Sequence, residues 1–345
     1  MTMTAPRRWT GGRIAVAVVG SGLALAAIGL GTRAAWGALA ADWLFFTGLW
    51  IGGLVASAVT QIVGAKWVDP LLPSLEEGAG SLKASYGMLL LLAVAGPAWL
   101  PWIGHVPAGR GWWLNPPTFI LREVVASGGL LALAALYARA RRRGAPTTRL
   151  AIALCLAFPV VSTVWTMDFI LALDREWVSP LIGAFYFMGS FLGGFAASAV
   201  RRSTSALPAK VRHDLGKLIF GLSIFWAYLL WAHVLTLWYG NLPEDVGFVI
   251  ARLQRPWNLI FGAAVLLVFV LPFTVLMRED AKRQPRLLAG CALGVLVGLW
   301  LSTQLLVLPS FGQPIDSWAL LAALGGVLLL GAVGAPTAPT AVAAG

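Results

Sequence analysis

Cysteine, histidine and acidic side chains are scarce in this chain of 345 residues: it has two Cys, three His and 14 Asp plus Glu. Cys155 and Cys291 each stand alone inside an apolar stretch. With no C-x-x-C or C-x-x-C-H, iron–sulfur clusters and c-type haem are excluded as groups held by this chain itself. The histidines are His105, His213 and His233. A haem b between helices needs two axial imidazoles facing each other at one depth, and His105 with His233 is the only conceivable pair. No redox metal is therefore expected on this chain.

Charge is scarce as well. Charged residues make up 11% and hydrophobic residues 59%, with a mean hydropathy of +0.82, whereas a soluble globule carries about a quarter charged residues. The chain reads as an all-α polytopic membrane protein, one integral membrane domain over 1–345. Ten apolar stretches recur, at 14–31, 43–64, 86–103, 119–138, 150–171, 179–200, 215–239, 257–277, 286–308 and 316–335. Each approaches the ~20 residues that cross ~30 Å of hydrocarbon. Arg7 and Arg8 before an apolar run, with Ala38-Leu39-Ala40 after it, resemble a signal peptide. That run is long for one and nine more follow, so a retained first helix is expected. Residues 334–345 form an Ala/Pro/Thr tail expected to be disordered.

The net charge of +11 does not point to nucleic acid, because the cations are placed by topology. With the N-terminus inside, most of them fall in alternate connections, including Arg139, Arg141, Arg142 and Arg143 and, later, Arg278, Lys282 and Arg283. This positive-inside bias puts both termini in the cytoplasm and the cations near anionic lipid.

An internal repeat organises the spans. Residues 46–59 and 187–200, at an offset of 141, share the Phe, three Gly and the closing Ala-Ser-Ala-Val. Ser162-Thr163 and Ser302-Thr303 repeat at an offset of 140. Small-x-x-x-small patterns recur wherever helices pack closely, but two agreeing offsets favour duplication. The expected architecture is two tandem four-helix bundles, spans 2–5 and 6–9 (about 43–171 and 179–308), with spans 1 and 10 peripheral.

Ionisable groups within such spans are functional candidates. Asp168 lies near the outer end of span 5, Arg122 and Glu123 at a comparable depth on span 4, and His233 in the outer half of span 7. Two readings stand: an outward-facing proton or quinone-proximal site, or an ion pair of Arg122 that locks the helices. Towards the inner side, Lys217 and Tyr228 share a face of span 7, and Ser57, Thr60 and Gln61 share a face of span 2. With His213, Asp214, Glu76 and Glu77 they could form an inward proton wire. The alternative is snorkelling lysine and an aromatic belt.

Two stretches carry a family resemblance. The first is Asp168, Phe169, Leu173, Trp177, Ser179 and Gly183. The second is Trp226-Ala227-Tyr228, Trp238-Tyr239, Asn241, Pro243, Glu244 and Asp245, preceded by His213-Asp214-Leu215-Gly216-Lys217. Together they resemble the F subunit of bacterial alternative complex III, a relative of the NrfD/PsrC quinone-interacting membrane proteins. The chain departs from the family pattern with His233 where that pattern has Gln and Phe169 where it has Trp.

The resemblance implies a bacterial inner-membrane subunit of a quinol:acceptor oxidoreductase that performs no redox chemistry alone. It implies no cofactor on this chain, the quinol in a sister NrfD-like subunit, and haem c and iron–sulfur clusters in multihaem cytochrome and iron–sulfur partners. It further implies proton half-channels, with Asp168 and His233 outside and Tyr228, Lys217, Asp214 and His213 towards the inside. Two other classes stay open: a quinol-binding anchor of a molybdopterin/iron–sulfur oxidoreductase, and a proton-coupled small-molecule transporter.

Overall fold

A computed structural model describes residues 11–104, 106, 109–174, 179–201, 206–240, 243–312 and 316–334, with backbone alone for 243–245. His105, Trp177 and Asn241, the side chains of Glu244 and Asp245, and the tail beyond Gly334 lie outside the described residues, as do Arg7 and Arg8.

No strand occurs among the described residues. The helices are α1 (Gly11–Leu30), α2 (Arg33–Ile62), α3 (Leu72–Leu75), α4 (Leu82–Val94), α5 (Gly96–Trp99), α6 (Pro116–Arg142), α7 (Thr148–Phe169), α8 (Ile182–Val200), α9 (Ala209–Gly240), α10 (Pro243–Leu253), α11 (Trp257–Val265), α12 (Leu271–Val275), α13 (Glu279–Arg283), α14 (Pro285–Val307) and α15 (Ser317–Gly334). A π-helical turn, Leu266–Val270, joins α11 to α12 just before Pro272, where the missing N–H already weakens the α ladder.

Nine helices among the described residues are long and apolar enough to cross a membrane, the pattern of a multi-pass membrane protein. In such a setting every backbone N–H and C=O must be satisfied within its own segment, which long apolar runs achieve as helices. The third predicted span departs from this. It is divided into α4 and α5 at Ala95, because Pro97 offers no N–H to continue the ladder. Helix α2 departs in the other direction: it starts ten residues before its predicted stretch and so takes Asp42 into the bundle.

α2 lies at the centre, against α7, α8, α14, α15 and α4. It runs in the same direction as α8, with backbone-close contact. A Cβ on Gly52 would lie 2.0 Å from the Ser190 carbonyl oxygen, and one on Gly194 would lie 2.5 Å from the Gly53 nitrogen. Tyr186 Oη donates to the Leu44 carbonyl at 2.7 Å, adding a polar clasp to the seam. The contact is reciprocal in the repeat: Gly52 faces Ser190, and its equivalent Gly193 faces Leu49, the equivalent of Ser190. Interfaces of this kind depend on small residues, because between helices in lipid close van der Waals packing does what the hydrophobic effect does in water. α15 packs along α2 on the other side, with Gly326 against Asp42 and Gly334 against Trp50. α1 touches the rest mainly through α15, where Gly20 meets Gly325.

Candidate functional site

At the end of the bundle that carries the N-termini of α2, α6 and α8, three charged side chains meet. Asn115 ends the preceding loop, and Pro116 and Pro117 open α6 with a φ already suited to a first turn. One turn later come Arg122 and Glu123. Arg122 grips Asp168, the penultimate residue of α7, through two parallel bonds: Nε to Oδ2 at 2.8 Å and Nη2 to Oδ1 at 2.6 Å. Asp168 is buried, and Trp113 Nε1 donates to its Oδ1 at 2.8 Å. The Arg122 guanidinium also lies 3.8 Å from the Trp113 ring centroid. A bidentate, aromatic-stacked guanidinium–carboxylate pair is among the strongest charge-assisted contacts available to side chains.

Glu123 points into the same region, with Asp168 and Arg122 as charged neighbours. It is fully buried. Its Oε2 accepts from Ser127 Oγ at 3.0 Å, Ser127 Oγ accepts from Trp165 Nε1 at 2.7 Å, and Oε1 has no hydrogen-bond partner. Two buried carboxylates thus lie near one guanidinium, which bonds Asp168 alone. Such a site stays neutral only if it also holds one proton. Below it, Trp43, Trp165 and Phe169 interlock, with ring centroids 5.2 Å apart for Trp43 with each of the other two, closing the site from that side.

His233 does not join this cluster. It lies at the same end but on α9, where Nδ1 bonds the Leu229 carbonyl at 2.9 Å and the ring meets Phe185 edge-on at 5.6 Å. It lines a separate, mainly apolar cavity of about 200 Å³ between α8, α9, α10, α11 and α14, together with Trp226, Ser302 and Arg252. Arg252 donates to the carbonyls of Phe248 at 2.8 Å and Leu306 at 2.7 Å. Burial pushes its guanidinium down to about 9, with the charge of Asp174 opposing that shift, so it remains protonated at neutral pH.

At the opposite end the expected wire divides in two. Ser57 donates to Glu76 Oε1 at 2.7 Å and meets Tyr137 Oη at 3.0 Å; Tyr137 and Thr147 both donate to Gln61 Oε1, at 3.2 and 3.0 Å. Arg141 pairs with Glu76 at 2.9 Å, and Arg201 with Glu77 at 2.8 Å. His213, Asp214 and Lys217 form a different group: Lys217 contacts Asp214 at 3.1 Å, and His213 stands 3.9 Å from both Asp214 and Glu279. Tyr228 belongs to neither. It is 60% exposed and stacks on Phe225, with centroids 5.9 Å apart. Lys217 and Tyr228 do share a face of α9, but that face looks outward. Accordingly, Tyr228→Phe and Lys217→Ala should each shift apparent stability by no more than about 0.5 kcal/mol. Thermal unfolding in detergent checks this; a larger loss would mean that the face is covered.

The buried carboxylate of Asp42 escaped the reading of the sequence. Trp300 Nε1 and Gln304 Nε2 both donate to its Oδ1 at 2.7 Å, while Oδ2 lies unpartnered against Gly326. An acidic residue followed by Trp43-Leu44-Phe45-Phe46 was the available signal.

Compared with known proteins, this chain matches no protein-family model and no curated protein.

Proposed function

We propose that this chain is an integral subunit of a quinol-oxidising respiratory complex of the inner membrane, similar to the F subunit of alternative complex III. In this reading it crosses the membrane ten times, α4 and α5 together forming the third crossing, with both termini in the cytoplasm. It binds no redox cofactor, supports the quinol site of a sister subunit, and exchanges protons at its outer end.

The observation that carries the proton role is the buried cluster of Arg122, Asp168 and Glu123. One guanidinium, bonded to Asp168, stands near two buried carboxylates, so charge balance calls for one proton on the carboxylate pair, and in this reading that proton is the one exchanged. Ten crossings are supported by connectivity. The C-terminal ends of α2 and α6 meet through Gln61 and Tyr137, so the chain between them must return to the far end before α6 begins. The tandem arrangement is supported by matching contacts: α2 with α7 and α8 with α14, α7 with α8 and α14 with α2, α6 with α7 and α11 with α14. The respiratory assignment and its partners rest on the Trp226-Ala227-Tyr228, Trp238-Tyr239 and Asp168–Gly183 residues of the resemblance.

Asp168→Asn tests the proton role. Membranes carrying this variant in the assembled complex should lose at least about tenfold in proton release coupled to quinol oxidation, the scale of one displaced proton-transfer group. Unchanged oxidation and proton release would make Asp168 a structural ion-pair partner only.

A further inference from the structure

We infer that Asp42 is a proton-binding site: the folded chain holds this residue as a neutral carboxylic acid where α15 seats on α2. The side chain is fully buried, and the rise of a helix puts it roughly 13 Å along α2 from Arg33. Both groups that bond it are uncharged. Trp300 Nε1 and Gln304 Nε2, one turn apart on α14, donate to Oδ1 at 2.7 Å each. Oδ2 receives no hydrogen bond. It is pressed against the middle of α15, where a Cβ on Gly326 would overlap it. The backbone N–H groups at such a mid-helix position are already spent on the helix's own ladder.

No cation stands by to balance a charge. Among the described residues no ion pair includes Asp42. α15 carries no ionisable side chain and α8 only Tyr186; on α14 the one cation, Arg286, opens the helix far from Trp300. Lys83 of α4 is exposed. An ionised carboxylate here would be a buried charge without a counter-ion, among the costliest arrangements for a side chain. A proton removes that charge. A hard metal ion would not serve, since it takes about six or more oxygens. The side-chain oxygens without a partner here are Asp42 Oδ2 and Gln304 Oε1.

The packing keeps this proton resident. Gly326 closes on Asp42 as Gly334 does on Trp50, and α1 joins the bundle mainly through α15. The proton leaves only when α15 lifts from α2, so it belongs to the helix contact rather than to a conducting chain. The site does not rest on the respiratory reading.

The test is infrared spectroscopy of the purified full chain in detergent at neutral pH, with isotope-labelled aspartate carboxyl groups. The label sets the aspartates apart from Glu123 and the other glutamates. A carbonyl stretch of labelled, protonated acid should be present. It should vanish in Asp42→Asn, whose amide has nearly the shape of the neutral acid, and should remain in Asp168→Asn. Trp300→Phe removes one of the two donors to Oδ1 and should move the band to higher frequency. That shift ties the band to Asp42 even where the Asn variant fails to fold. Absence of a labelled acid band from the wild-type protein overturns the proposal. So does a band that survives Asp42→Asn, is lost in Asp168→Asn, or stays unmoved in Trp300→Phe.

Discussion

Arg122→Leu should destabilise the protein by about 3–5 kcal/mol, the usual cost of stranding a buried charge. Asp168 loses both guanidinium bonds and keeps only the Trp113 indole as a donor, while Glu123 loses the opposing charge of Arg122. Arg122→Lys should fall between this variant and the wild type, because an ammonium supplies charge without the planar fork or the stacking on Trp113. Glu123→Gln should behave in the opposite way. It keeps the side-chain shape and removes the surplus carboxylate, so stability should stay within about 1 kcal/mol of wild type. Thermal unfolding in detergent separates the three. If Arg122→Leu unfolds like the wild type, the buried ion pair does not hold α6 to α7.

The second large effect lies in the glycine seam between α2 and α8. Gly52→Ala would place a methyl group 2.0 Å from the Ser190 carbonyl oxygen, and Gly194→Ala one 2.5 Å from the Gly53 nitrogen. In both cases the obstacle is backbone, so relief requires the two helices to move apart. Each substitution should cost at least the roughly 1–3 kcal/mol of an overpacked core, since α2 also anchors α7, α14 and α15. Gly129→Ala and Gly221→Ala serve as controls, because nothing lies within 4 Å of a Cβ at either position. Those two should be neutral or slightly stabilising, as expected for removing a helical glycine. The comparison is read as apparent melting temperature in one detergent. A seam variant that melts with the controls would mean that α2 and α8 are not in backbone contact.

Much of this fold is legible in the sequence because membrane helices are written in composition. Nine of the predicted apolar stretches coincide with long helices, and the repeated glycine stretches do mark a close helix contact, through Gly48, Gly52 and Gly194, whereas Gly189 meets only the side chains of Leu299 and Trp226 at ordinary distance. The third stretch misleads because hydropathy ignores backbone donors, and Pro97 interrupts the ladder without lowering apolarity. Asp42 was hidden for the converse reason: a single carboxylate ends an apolar run in sequence, although α2 continues through it and Trp300 and Gln304 receive it some 260 residues away along the chain.

The candidate site was partly legible. Depth along the spans anticipates that Arg122, Glu123 and Asp168 meet, and a pairing of Arg122 with Asp168 was one of two open readings. It does not separate His233 from them, because depth says nothing about which helices stand side by side. Nor does spacing reveal that Trp113, from the loop before α6, completes the cage around Asp168. On α9 a shared face was inferred correctly for Lys217 and Tyr228, but α9 is apolar on most sides, so periodicity alone could not tell which face is covered. The same limit hid the partners of Ser57 and Gln61, since Tyr137 and Thr147 come from other segments.

The most direct test of the central claim is purification of the tagged native chain from its own membranes in a gentle detergent, with a visible spectrum and identification of whatever accompanies it. A respiratory subunit should bring down haem c absorbance together with iron–sulfur and sister multi-helix subunits. A colourless, solitary chain, from membranes that do make those partners, would contradict the claim and make a stand-alone transporter the better reading.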